Sequence, residues 1–274
     1  MRYLRGLQIV RVFVALIIGI AFLVPIYITL TTSLDKAQNV FTFPPHLLLD
    51  FNFANWARTW HEYDWLLYYL NTIVIAIATI IIALGTTILA AYALSFMRFP
   101  GQNLVFALVL VVLMIPSETF LIPNFVLMAQ VHLVNTRIAQ ILPYGASAFG
   151  IFLLRQFFLT IPRDYREAAS IDGCGHWRFL WSIAVPLARP ILMTIAIYIF
   201  IGTWNSLLWP LMVTATPNVQ PIEVALATYL TSNSSDWQGL SAAGMFATIP
   251  VILLYLFFQK RIVAGISRGE GIRF

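Results

Sequence analysis

Six stretches of this chain are apolar over about the length of a membrane-crossing helix: residues 12–34, 66–95, 104–124, 138–159, 188–213 and 240–260. An α-helix rises about 1.5 Å per residue, so roughly 20 apolar residues cross a hydrocarbon core about 30 Å thick. Inside that core the backbone N–H and C=O groups have no water to bind, and for stretches this long only a helix satisfies them internally. The expectation is therefore all-α, a polytopic membrane protein with six transmembrane helices forming one domain over 1–274. Composition excludes a water-soluble domain, because 60% of the residues are hydrophobic and 10% charged, against about 25% charged in soluble proteins.

Charge placement orients the spans. With both termini in the cytoplasm, 13 of the 16 basic residues fall on inner segments, and only Lys36, Arg58 and Arg137 fall on outer ones. That is a strong positive-inside bias. The net charge of +5 is spread between spans rather than gathered into a patch, which argues for membrane lipid and against nucleic acid as a partner. The first apolar stretch follows Arg2, Arg5 and Arg11 as a signal peptide would, but its length and the lack of an A-x-A site point to an uncleaved anchor. The outer loop near 35–65 carries Pro44, Pro45 and the aromatic series Phe51, Phe53, Trp56, Trp60, Tyr63 and Trp65, which reads as an interfacial belt. The outer segment 214–239 holds Thr, Asn, Ser and Pro and no basic residue, a face open to an external partner.

Prolines interrupt several spans: Pro116 and Pro123 in the third, Pro143 with Gly145 in the fourth, and Pro210 at the end of the apolar part of the fifth. Small residues recur where helices would pack closely, in Ala83-x-x-x-Thr87-x-x-x-Ala91 and Ala146-x-x-x-Gly150. Enzyme signatures fail. Neither lysine follows a glycine as a phosphate loop needs, and His61-Glu62 meets Trp65 where a zinc helix needs its second histidine. Gly265-Ile266-Ser267-Arg268-Gly269 matches G-x-S-x-G, but in a basic tail rather than at a strand-to-helix elbow. Gly173 and Gly175 lack the third glycine of a dinucleotide fingerprint, and the single Cys174 supports neither a disulfide nor a cysteine-based metal site. No cofactor or metal is expected on this chain.

The most informative polar stretch is the inner loop 160–187. Asp164 is placed to cap a short helix with Glu167 three residues on, and Gly173 suits the left-handed residue that ends it. Tyr165, Ala168, Ala169 and Asp172 share one face by i, i+3, i+4, i+7 spacing, a face suited to docking. Trp177, Leu180, Trp181 and Ala184 form a stripe on a second helix, expected to pack under the membrane domain and to stop at Pro186 before Pro190 opens the next span. On spacing alone an amphipathic connector at the lipid surface fits equally.

Glu167-Ala168-Ala169, Asp172-Gly173, Ile183, Pro186 and Pro190 closely resemble the EAA loop of permease subunits in ATP-binding-cassette importers. The flanks resemble the carbohydrate-uptake branch, the maltose-type inner membrane component: Leu154-Arg155-Gln156-Phe157-Phe158, Ile161-Pro162, Trp204-Asn205, Leu208-Trp209-Pro210-Leu211 and Phe258-Gln259-Lys260-Arg261. Two departures stand out, Cys174 where that family has alanine and a terminal Gly271-Ile272-Arg273-Phe274 in place of Val-Lys-Gly. The resemblance implies the type I importer permease fold in the cell inner membrane. It also implies a second homologous permease, two ATPase subunits carrying ATP and magnesium, and an extracytoplasmic solute-binding protein. Coupling to the ATPase would fall to Asp164, Tyr165, Glu167, Ala168, Ala169, Asp172, Gly173 and Pro186.

For the solute path, Glu118 is the acidic residue inside a span, beside Ser117 and bracketed by Pro116 and Pro123, and an intramembrane carboxyl is costly enough to be functional or else paired near the interface. Trp204, Asn205 and Trp209 offer aromatic faces and an amide of the kind that holds sugars, although belt and packing roles fit them as well. An ATPase-independent secondary transporter or channel, or an importer for a non-sugar solute, remain the alternatives.

Overall fold

The structure, a computed structural model, describes residues 2–36, 48–233 and 235–267. Pro44, Pro45, His46 and the tail from Arg268 to Phe274 lie outside these residues. The described chain is helical: α1 (Arg2–Ser33), α2 (Ala54–Glu62), α3 (Trp65–Phe96), α4 (Gln102–Leu113), α5 (Leu121–Gln130), α6 (Arg137–Ile141), α7 (Ala148–Leu159), α8 (Arg163–Ile171), α9 (His176–Phe179), α10 (Val185–Leu187), α11 (Arg189–Trp204), α12 (Leu208–Val213), α13 (Ile222–Ser232) and α14 (Trp237–Ser267). Short 3-10 turns cover Ser117–Phe120, Leu142–Tyr144 and Pro217–Val219, and a π turn covers Leu180–Ala184.

Three segments are each long and apolar enough to cross a membrane: Arg11–Ser33, Trp65–Phe96 and Trp237–Phe257. Three bent pairs meet the same test jointly, which brings the number to as many as six. The bends revise the sequence expectation. The third apolar stretch is not one rod, because Gln102–Leu113 and Ser117–Gln130 meet at 99°. Pro116 lacks an N–H and disfavours α geometry at Ile115, so the ladder stops there. In the fourth, Thr136 Oγ1 caps α6 by accepting from Ala139 N–H (3.2 Å) and Ser147 Oγ caps α7 by accepting from Gly150 N–H (3.0 Å), with Pro143 and Gly145 between and a 43° bend. The fifth ends at Trp204 rather than near 213, its backbone turning at Asn205 before the separate helix α12, so Pro210 lies inside α12 and is not the break. The segment 214–239, read as an open polar stretch, contains α13.

The chain divides into two compact units, Met1–Trp65 with Ala225–Ile252, and Leu66–Val224 with Leu253–Phe274. In the first, α2 is tied to the end of α1. Asn55 Nδ2 donates to the Ser33 and Asp35 carbonyls (3.1 and 2.9 Å), and Trp56 Nε1 donates to Ser33 Oγ (3.0 Å). Trp65 is 1% exposed, with Nε1 on the Thr59 carbonyl at 2.7 Å, so Trp65 and Trp56 serve packing while Phe51, Phe53 and Trp60 keep the exposure expected of a belt. Asp236 gathers the other partners: Arg58 Nη2 reaches both carboxylate oxygens (2.8 and 2.7 Å), Tyr229 donates its hydroxyl (3.0 Å), and Gly239 N–H closes the α14 cap (3.0 Å).

In the second unit a core runs along Ala83, Ile88, Ala91 and Tyr92 of α3, Leu154 and Phe158 of α7, and Ile195 and Ile199 of α11. The small-residue pattern explains the close approach of α3 and α7. Ala83, Thr87, Ala91 and Gly150 are all buried, and a Cβ on Gly150 would lie 3.1 Å from both Thr87 Oγ1 and Ile195 Cγ2. Ala146 is exposed and takes no part in this contact.

Candidate coupling site

Helix α8 is short, and isolated helices of two turns are unstable in water, so its order must come from its ends and from tertiary packing. Its N-terminus differs from expectation. Pro162 is the N-cap, Arg163 the first helical residue and Asp164 the second, and no side-chain cap bond forms at this end among the described residues. Proline's fixed φ has already set the helix entry, which leaves Asp164 to act on the helix dipole instead of as a cap. The C-terminus follows expectation. Gly173 has φ +71°, its N–H donates to the Ser170 carbonyl (3.1 Å), and Cys174 N–H reaches back to Ala169 O (2.8 Å). These two bonds make a Schellman motif, which satisfies carbonyls that the helix end would otherwise leave open.

The four residues of the expected docking face do not all point the same way. Ala169 is 6% exposed and enters the core beside Phe179, Leu180 and Ala184, whereas Ala168 and Asp172 are exposed and Tyr165 is 50% exposed. Alanine is the residue that permits this, since a larger side chain would hold α8 off its seat. The outward face is Asp164, Tyr165, Glu167, Ala168 and Asp172, joined by Ile171 at 87% exposure, which sequence reasoning passed over. An isoleucine on the last turn before a left-handed glycine is the signal that could have found it.

Beneath α8 the seat is aromatic. Arg166 lies over the Phe179 ring (5.1 Å) and donates to the Cys174 carbonyl (3.4 Å). Phe179 meets Phe96 edge-on at 5.3 Å, Phe96 contacts Phe158 at 5.6 Å, and the Tyr92 hydroxyl shares a 2.9 Å hydrogen bond with His176 Nδ1. So α8 rests on the C-terminal end of α3 and on α7 through closely packed aromatic rings. The second-helix stripe is also split. Leu180 and Ala184 are buried as expected, but Trp177 and Trp181 stay 67% and 42% exposed, edge to face at 5.8 Å. Nor does the helix stop at Pro186. It runs through the π turn and Pro186 to Leu187 and breaks at Ala188, where His176–Leu187 and Arg189–Trp204 meet at 77°. Pro186 cannot donate and its ring crowds the carbonyl four residues back, which favours the wider π turn just before it.

The solute-path candidates fall in separate places. Ser117 and Glu118 lie exposed in the 3-10 turn at the 99° bend, with Ser117 Oγ donating to Glu118 Oε1 (3.1 Å). Trp204 is 2% exposed against Phe200 (5.4 Å), and Trp209 is 2% exposed with Nε1 on the Ala139 carbonyl (3.1 Å), so both side chains are committed to packing while Asn205 is exposed. A polar network missed from sequence anchors the 214–221 segment. Asn71, fully buried, donates to the Gln220 carbonyl (2.9 Å), and Arg137 bridges Asn71 Oδ1 (2.9 Å) and the Asn218 carbonyl (3.1 Å). Nearby on α13, burial pushes the Glu223 carboxyl above its ordinary range. An asparagine inside an apolar stretch was the available sign.

Residues 8–268 match the family model described as binding-protein-dependent transport system inner membrane component. The chain belongs to that family. It is a permease, as the EAA resemblance implied. Among its relatives, the arabinooligosaccharides transport system permease protein AraQ of Halalkalibacterium halodurans is 35% identical over 73% of this chain and 71% of its own. The diacetylchitobiose uptake system permease protein NgcG of Streptomyces coelicolor is 32% identical over 92% and 84%. The sn-glycerol-3-phosphate transport system permease protein UgpE of Yersinia pestis is 33% identical over 97% and 98%. A chain from the crystal structure of a bacterial ABC transporter that imports the acidic polysaccharide alginate superimposes with a TM-score of 0.80 at 27% identity, covering 95% of this permease and 98% of that chain. The all-α importer permease fold and the multi-pass inner-membrane placement follow.

Proposed function

We propose that this permease imports a sugar or oligosaccharide delivered by an external solute-binding protein, lining the path with a second homologous permease and driven by two ATPase subunits that hold ATP and magnesium. The observation that carries the reading is α8: a two-turn helix with an exposed outer face and an aromatic seat, closed by a left-handed Gly173. Moving a two-state transporter from 1:99 to 99:1 takes about 5.5 kcal/mol of differential binding, which a chain without a phosphate loop must receive from an attached motor. Asp164, Tyr165, Glu167, Ala168, Asp172 and the exposed Ile171 form the surface that meets the ATPase; Ala169, Gly173 and Pro186 hold that surface in place. The basic bias of the inner segments supports both termini being cytoplasmic. Sugar as the solute is supported by the names of two relatives, AraQ and NgcG, and of the alginate importer. The UgpE likeness over nearly the whole chain favours a phosphorylated polyol as the second reading.

Ser117, Glu118 and Asn205 are the path residues with side chains free to meet a solute, and Trp204 and Trp209 act only through packing. Purifying the tagged permease with its native partners, then identifying the ligand of the co-purifying binding protein by mass spectrometry, tests the reading. A bound saccharide and vanadate-sensitive uptake are expected. Uptake by the isolated permease without nucleotide would overturn it. Asn205→Leu should alter uptake while the ATPase still co-purifies; unchanged uptake removes Asn205 from the path.

A further inference from the structure

Helix α4 packs along α7 but sinks none of its side chains into the core of the second unit. From Leu104 onward its sequence is apolar on every side, and among the described residues none of its twelve positions is buried. It nevertheless leads directly into the 99° bend that carries Ser117 and Glu118. The polar and ring contacts of its first turns centre on one side chain of α7. Arg155 places its guanidinium carbon 3.8 Å from the centroid of the Phe106 ring on α4, and donates from Nε to the Leu94 carbonyl of α3 at 3.1 Å. The same carbonyl accepts from Gln102 Nε2, at the start of α4, at 2.8 Å, while the Phe106 ring stacks on Phe152 of α7 at 6.4 Å and 15°.

Each of these contacts has a physical cause. Leu94 lies in the last turn of α3, where backbone carbonyls run out of intrahelical donors and the dipole favours a cation. A guanidinium can donate in its plane and offer its flat face to an aromatic ring at the same time, which an ammonium cannot match. One residue thus joins three helices at a single point.

We propose that Arg155 is a positioning residue for transport: it clamps the base of α4 to α3 and α7, so that displacement received through α8 is carried into the bend bearing Ser117 and Glu118. The inference rests on the ATP-driven reading above. Helix α7 ends four residues before α8 begins and shares the aromatic seat through Phe158, so motion of α8 reaches Arg155 without passing through a mobile loop. Without the clamp, α7 would move and α4 would lag behind it.

The test is a spin-label distance between Leu108→Cys on α4 and Leu159→Cys on α7, both more than half exposed, in a Cys174→Ala background of the full complex in nanodiscs. It is measured without nucleotide and after trapping with ATP and vanadate. With Arg155 in place the distance distribution is expected to be the same in both states. In Arg155→Met, and independently in Phe106→Leu, trapping should shift or at least double the width of the distribution, with Arg155→Lys recovering part of the parent behaviour. A parent distance that already changes on trapping, or variants that show no nucleotide-dependent change, would overturn the proposal. If no ATPase co-purifies with the parent, the transport reading fails instead, and this is seen before any distance is measured.

Discussion

Substitution at Gly173 separates backbone conformation from side-chain bulk. With φ +71° the residue occupies the left-handed region, yet a Cβ built there meets no atom within 4 Å. Sterics with neighbours are therefore absent and the cost is conformational, about 1–2 kcal/mol for an ordinary L-residue. The two cap bonds at stake, Gly173 N–H to Ser170 and Cys174 N–H to Ala169, contribute about 0.5–1.5 kcal/mol each. Penalty and reward are of similar size, so Gly173→Ala should shift the cap equilibrium roughly 5- to 30-fold toward the open form, leave it open in about half of the molecules and weaken ATPase attachment about 2-fold. Asparagine tolerates the left-handed region and should cost least, while β-branched valine should cost most and stop transport. Dissociation of the ATPase from the purified complex, measured on dilution beside ATP-driven uptake, gives the order. The φ argument requires Asn, then Ala, then Val; an order following volume, with Ala mildest, would refute it.

In the first unit, a Cβ on Gly239 would collide with the Tyr229 hydroxyl and the Asp236 carboxylate. Gly239→Ala should accordingly lower the thermal midpoint, by about 1–3 kcal/mol of overpacking at that site; an unchanged midpoint would show that the cap can rearrange freely. Burial raises the Tyr229 phenol to about 12; the hydrogen bond it donates to Asp236 and the charges of Asp236 and Glu62 act in the same direction, against the Thr59 hydroxyl bond, which acts to lower it. A phenol raised in the folded state ionises first in the unfolded one, so its contribution is complete below pH about 10 and is lost as pH rises from there toward 12. Tyr229→Phe should flatten that limb of a stability-versus-pH curve, and a parallel decline in both proteins would count against the assignment. Arg137→Met strands Asn71 Oδ1 in a site with 0% exposure, a cost of about 1–3 kcal/mol. Limited proteolysis should then cut the 214–221 segment several-fold faster, and equal cutting rates would show that the network does not pin it.

How much could be read from the chain itself depended on the range of the forces involved. Helix content, the six apolar stretches, the breaks at Pro116 and Pro143 and the left-handed glycine after α8 follow from hydrophobicity and local backbone rules, and each was legible. The EAA residues were legible as a pattern, and the family match agrees with them. Orientation within that pattern was not. Periodicity put Ala168 and Ala169 on one face, but the core beneath α8 takes only Ala169, and the π turn before Pro186 turns Leu180 and Ala184 inward while Trp177 and Trp181 face out. Asp164 looked like a cap until the Pro162 entry set the helix start. Trp204 and Trp209 looked like sugar platforms, yet tertiary packing had already used their faces.

What the sequence determined by itself is that this chain folds in lipid as helices and carries a short polar-loop helix stopped by glycine, because burial of apolar length and backbone φ are local properties. Only the tertiary structure decided which side chains remain free to act. That choice comes from residues far apart in the chain, such as Asn71 with Arg137 and Leu94 with Arg155, competing for the same buried space and the same unpaired carbonyls.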